Sequence, residues 1–302
     1  MNVSSVAELF KVGPPLTEDE QIGRLSAIEA VFNRAVAGEV LRLFDQRREG
    51  KTSLALAVLA RAHVAGVMTC HVPLDEYPTA PAAAARILAQ LTRTRERAMR
   101  AERVGGRVAR FAGRVAGAVG EGELAELAKV FADVDAHALR LPEVLTGTRE
   151  HFTNGDRRAV MLIDEAHLIA DWSAEDQASV RALLKDEHQR IGVLLVSSEQ
   201  SAVGALLPVL KFLGEPFLLE RIAAEDWRHH LRERFALTGV PIDAFALERL
   251  LELSTGQPYC TMLLARQCAE LAQAFGVVNV DVVDLALSTV RTHEAWDLLR
   301  YR

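Results

Sequence analysis

One stretch of this sequence constrains the fold more than any other. Val40-Leu41-Arg42-Leu43-Phe44 is a short apolar run, Asp45-Gln46-Arg47-Arg48-Glu49-Gly50 a polar turn, and Lys51-Thr52-Ser53 opens an alanine- and leucine-rich segment reaching about His63. The pattern predicts a strand, a tight turn and a helix. When such a bend carries Gly-Lys-Thr, backbone N–H groups and the positive end of the helix converge on an anion. The lysine reaches the phosphates of a nucleotide, and the hydroxyl one position later holds Mg²⁺. Lys51 and Thr52 are those two side chains, and Gly50 leaves room for the backbone to approach a phosphate. The discrepancy is at the loop's first position, where Asp45 stands in place of the expected glycine.

A second motif supports the first. Ala159-Val160-Met161-Leu162-Ile163 is apolar throughout, as in a strand buried on both faces, and it ends in Asp164 and Glu165. Ligands of open α/β sheets gather at the carboxyl ends of strands, so both motifs are expected at that edge. Asp164 is the candidate for the Mg²⁺ shell, directly or through water, and Glu165 for orienting the attacking water. The plain alternative is a buried strand with a solvated acidic end.

With 302 residues, half of them apolar, the chain can bury one large core and a smaller one. Strands are expected at 40–44, 66–74, 159–165, 191–196 and 215–219, after a leading helix at 16–38. Helical pattern punctuated by glycine and proline fills the long crossover between the second and third strands, an insert at about 80–150. Beyond Arg221 only amphipathic helices follow, at 224–238, 243–254, 258–275 and 280–290. These elements predict an α/β fold, a three-layer α/β/α domain over 1–220 with a mainly parallel five-stranded sheet, then a small all-helical lid domain over 221–302.

The net charge of −6 argues against general coating of nucleic acid, yet the charge is uneven. Between Arg93 and Arg114 eight arginines face only Glu96 and Glu102. Such a segment can meet acidic lipid, DNA phosphate or a partner subunit, or form a solvated excursion. Cys70, Cys260 and Cys268 lack metal-ligand spacing and suit buried free thiols in a reducing cytosol. The histidines show no zinc pattern. A basic N-terminal leader and an apolar run of membrane-spanning length are both missing from the sequence, so a cytoplasmic location is expected.

Together these motifs resemble those of ATPases of the AAA+ and STAND superfamilies, closest to the archaeal-type ATPases with relatives among origin-recognition proteins. Ile22-Gly23-Arg24, with Glu29 after it, resembles the segment that wraps adenine, although Leu25 replaces the usual acidic residue. Arg47 to Leu54 is similar to the family's phosphate loop, Asp164-Glu165-Ala166-His167 to its acidic motif, and Leu195 to Gln200 to the strand leading to its first sensor. Thr255-Gly256-Gln257-Pro258-Tyr259 resembles the start of a lid helix where proline meets the base. The resemblance implies ATP or ADP with Mg²⁺, and nucleotide contacts from Ile22, Arg24, Arg48, Glu49, Gly50, Lys51, Thr52, Ser53 and Pro258. It also implies metal contacts from Thr52 and Asp164, catalysis by Glu165 and Lys51, and a protein partner or homo-oligomer. No arginine follows Gly256 directly, where a second sensor would stand, and Arg266 substitutes only if its helix faces the site. After the lid about a dozen residues remain, too few for the winged-helix DNA-binding domain of many relatives. Three readings stay open: a nucleotide switch that turns over, a degenerate site disabled by Asp45, and a DNA-associated ATPase of replication or transposition type.

Overall fold

The computed structural model describes residues 5–45, 47–101, 140–153, 158–185, 190–198 and 216–291, with backbone alone for 91–101, 151 and 153. The Arg93–Arg114 segment and Glu199-Gln200 therefore fall largely outside the described residues. The chain divides into two compact units. A helical unit comprises Met1–Ala27, Arg47–Leu54 and Leu219–Arg302, and a sheet unit comprises Ile28–Gln46 and Ala55–Leu218.

In the sheet unit, β1 (Val40–Asp45), β2 (Met68–Pro73), β3 (Ala159–Asp164) and β4 (Ile191–Ser198) form a parallel sheet in the order β1-β4-β3-β2. β3 and β4 are buried along their whole length, which is why they read as unbroken apolar runs. One sheet face packs Cys70, Val72, Met161, Ile163, Val193 and Leu195 against α4 (Ala80–Ala101), α5 (Leu141–Thr153) and α6 (Ala174–Leu184). On the other face, α2 (Leu25–Val36) comes so close that a Cβ on Gly192 would sit 2.0 Å from the Ala35 carbonyl oxygen. Gly192 is thus the contact point that lets a helix backbone lie on β4. Helices cover both faces, giving three layers.

Two sequence expectations fail locally. The fifth strand predicted at 215–219 does not form. Residues 216–219 are irregular, and a bond from the Phe217 N–H to the Arg42 carbonyl (2.8 Å) ties them to β1. Pro216 has no N–H to donate, so a ladder cannot propagate through it. The sheet has four strands among the described residues. The leading helix predicted over 16–38 is broken: a 3₁₀ turn at Glu18–Glu20 precedes Gly23 at φ +60°, and α2 begins only at Leu25.

The helical unit is built from α1 (Val6–Leu9), α7 (Ala224–Leu237), α8 (Ala244–Ser254), α9 (Pro258–Ala272) and α10 (Val280–Val290). Side-chain caps start four of them: Ser5, Asp243, Gln257 and Asn279 each accept a backbone N–H of the first turn. Trp227, Leu231 and Phe235 of α7 bury one stripe of that helix, with the Phe10 ring tilted against Phe235 at 4.9 Å between centroids. α8 ends at Thr255 and Gly256, both left-handed, and the Trp227 indole N–H donates to the Gly256 carbonyl (3.1 Å).

Candidate functional site

The phosphate loop belongs to the helical unit. Its helix, α3 (Lys51–Val64), starts at Lys51, and the Leu54 N–H closes the first turn onto the Gly50 carbonyl (3.0 Å). The N–H groups of Lys51, Thr52 and Ser53 belong to the first turn of the helix and lie at its positive end. Gly50 is left-handed at φ +87°, and a Cβ there would meet nothing within 4 Å, so the space beside it is open. Here glycine is required by backbone angle.

Arg48 is also left-handed, at φ +68°. For a residue with a Cβ this costs about 1–2 kcal/mol, and two contacts offset it. The Arg48 guanidinium lies over the Tyr259 ring at 3.8 Å from its centroid, a contact worth about 0.5–2 kcal/mol. The Gln257 amide donates to the Arg48 carbonyl (3.0 Å) and the Arg47 carbonyl (3.4 Å). Asp45 does not occupy the left-handed region. It is the last residue of β1, in register with Ser198, and its backbone makes no demand for glycine.

The other candidates in the helical unit fall in two groups. Lys51 is buried at the helix start, and Thr52 is half-buried beside it. The Ser53 hydroxyl accepts the Leu16 N–H (3.1 Å) and its carbonyl accepts from Gln21 (2.9 Å), so Ser53 fastens the loop to the N-terminal segment. Arg24, expected at adenine, is buried and donates to the carbonyls of Glu220 and, at 3.4 Å, of Glu49. Ile22 and Ile222 both pack against the helical core. Pro258 takes the first position of α9, where proline's missing N–H costs nothing. Arg266 pairs with Glu270 on the exposed side of α9 (2.9 Å) and shows no sensor contact.

In the sheet unit the acidic motif sits at the end of β3. Asp164 is buried, and its Oδ1 accepts the Glu165 N–H at 2.9 Å. This bond bends the chain so that Glu165 is left-handed (φ 50°, ψ 42°), heading the 3₁₀ turn Ala166–Asp171. The Glu165 carboxylate is half exposed and lies 3.2 Å from Nδ1 of His167. The same nitrogen is 3.1 Å from Oγ of Ser197, a buried residue of β4. The acidic strand end and the neighbouring strand end are thus linked through His167. Sequence reasoning named the strand leading to Ser197 but gave His167 no role; its place two residues after the paired acids was the available signal.

Within the helical unit the loop offers a cation, open space at Gly50 and the start of α3, features that suit a nucleotide phosphate. Thr52 of that unit and Asp164 of the sheet unit are each hard oxygen donors of the type Mg²⁺ prefers. Burial pushes the His71 imidazole below its ordinary value, against the raising influence of Asp164, so the base beside the acidic strand stays neutral.

Comparison with solved structures supports this architecture. The chain superposes on the Walker-type ATPase PABY2304 of Pyrococcus abyssi with a TM-score of 0.64 at 14% identity, covering 97% of this chain and 79% of that one. The ORC1 protein of Aeropyrum pernix, solved in complex with DNA, gives 0.56 at 17% identity, over 95% of this chain and 71% of that one. The ORC2 protein of the same organism, solved with ADPNP and ADP, gives 0.55 at 17% identity over 93% and 71%. This chain has the fold of an AAA+ P-loop ATPase. No protein-family profile and no curated protein matches the sequence. At such identity the likeness shows the fold alone.

Proposed function

We propose that the chain binds ATP with Mg²⁺ and hydrolyses it to ADP and phosphate, acting as a nucleotide-dependent switch of STAND-like type. What carries this reading is the loop itself: a left-handed glycine with open space beside it, leading into the positive end of a helix whose first side chain is Lys51. Lys51 and those N–H groups hold the β- and γ-phosphates, Thr52 and Asp164 hold Mg²⁺, and Glu165 accepts a proton from the attacking water while orienting it. Mg²⁺, when bound, neutralises developing charge on the phosphate oxygens. Pro258 and Ile22 would flank the base. The switch reaches a partner, a protein or a second copy of this chain, through the helical unit that holds the loop.

Calorimetry decides the reading. ATP with Mg²⁺ should bind wild type, and Lys51→Ala should lose about a hundredfold or more in affinity, since a charge-assisted contact to phosphate is removed. Equal binding by a folded Lys51→Ala protein would overturn the site assignment.

A further inference from the structure

Three consecutive carbonyls of the phosphate loop face buried donors. Those of Arg47 and Arg48 accept from Nε2 of Gln257 at 3.4 and 3.0 Å, and that of Glu49 accepts from Nη2 of Arg24 at 3.4 Å. Both donor residues are 6% exposed. The Gln257 amide has one orientation available: its Oε1 accepts the Cys260 N–H at 2.8 Å, and a flipped amide would set its oxygen against two carbonyl oxygens. Every described peptide bond here is trans. In a trans peptide the carbonyl and the next N–H point to opposite sides. Fixing the carbonyls of Arg47, Arg48 and Glu49 therefore turns the N–H groups of Arg48, Glu49 and Gly50 away from Gln257 and Arg24. Successive N–H groups around left-handed residues form a concave anion-binding nest, and Arg48 and Gly50 are the left-handed residues of this one.

We propose that Gln257 and Arg24 are positioning residues that hold the phosphate loop open to a triphosphate, and that the start of α9 serves the phosphates through the loop. This rests on the ATP reading above and gives the Gly256-Gln257-Pro258 segment a task distinct from contact with the base. The Arg48–Tyr259 stack reinforces it, because it holds the strained residue between the two bonded carbonyls. Neither Gln257 nor Arg24 is catalytic.

The test compares Gln257→Leu, which deletes the amide, with Gln257→Glu, which keeps an acceptor for the Cys260 N–H but sets a carboxylate oxygen against the loop carbonyls. ATP, inorganic tripolyphosphate with Mg²⁺, and adenosine are titrated by calorimetry, and hydrogen exchange is followed in a peptide spanning 47–53. Both variants should lose about tenfold or more in affinity for ATP and tripolyphosphate, leave adenosine unchanged, and exchange the loop amides faster. Gln257→Glu should be at least as impaired as Gln257→Leu. Tyr259→Ala, which removes only the ring beneath Arg48, should raise loop exchange as well and serves if the Gln257 variants do not fold. Unchanged loop exchange and tripolyphosphate affinity would overturn the proposal, as would adenosine affinity falling in step with ATP. Failure of wild type to bind either phosphate probe would end the ATP reading instead, and loop exchange alone would then decide whether Gln257 holds the loop.

Discussion

The phosphate loop and the acidic strand end are the two motifs of one proposed chemistry, yet they are held in place by different physics. Asp164 ends a strand whose ladder on either side fixes it to β2 and β4, so its position follows from backbone pairing. The loop has no ladder. Its shape depends on two left-handed residues and on side chains from sequence-distant places, Arg24 and Gln257. A strand end tolerates change in its neighbours' side chains, whereas a loop fixed by side chains does not. Disturbance of the first should register in turnover, and of the second in affinity.

Glu165→Gln separates the two most sharply. The amide keeps the size of the side chain but cannot accept the proton, so hydrolysis should fall by about 10²–10⁴, while ATP affinity, a property of the loop, should hold. A variant that turned over normally in a phosphate-release assay would move the water-activating group elsewhere.

Gly192→Ala attacks the sheet side through packing. The added Cβ meets the Ala35 carbonyl at 2.0 Å, so α2 must shift, at a cost of about 1–3 kcal/mol. Urea denaturation should show the loss; an unchanged midpoint would mean that α2 relaxes without penalty.

Asp45 ends β1 in the sheet unit, two positions in sequence before the Arg47–Leu54 loop segment of the helical unit. Because its backbone is not left-handed, Asp45→Asn and Asp45→Gly should act alike, through charge alone. Each should tighten ATP by about tenfold, ~1.4 kcal/mol, and ADP by less, since the γ-phosphate adds charge. A gain from glycine alone would show that backbone freedom matters after all; no gain from either would mean the carboxylate points away from the phosphates.

The last effect concerns the helical unit and is read only in acid. Burial, with Arg234 and His229 nearby, pushes His230 from 6.5 down to about 4. The unfolded chain then binds a proton that the folded unit refuses, so stability present above pH 6.5 is lost as pH falls toward about 4. With the ring partly exposed to screening, the loss is about 1–2 kcal/mol. His230→Phe should flatten that part of the acid-unfolding profile, and an unaltered profile would assign the acid sensitivity to other groups.

Much of this was legible in the sequence because each signal was local. Unbroken apolar runs marked β3 and β4, and Gly50-Lys51-Thr52 marked the loop. The four C-terminal helices begin and end within a few residues of where periodicity puts them, since three of them have a capping side chain and three a terminal glycine written beside them. What the sequence left hidden is long-range. The Gln257 contacts join residues more than 200 positions apart, and glutamine is an uncommon cap that gives no warning of reaching elsewhere. The pairing of His167 with Ser197 depends on β3 and β4 being neighbours, a matter of strand order. The fifth strand was over-read because hydrophobicity at 217–219 outweighed the missing N–H of Pro216.

The three cysteines have a practical consequence. Cys70, Cys260 and Cys268 are buried, and burial pushes each thiol up to about 12. Near neutral pH almost none of the reactive thiolate is present. A thiol introduced at an exposed position such as Ala178 on α6 or Ser288 on α10 would be the one that a maleimide dye modifies in the folded protein. The native background is already silent, so fluorescent reporters can be placed on either unit without first stripping cysteines from its core.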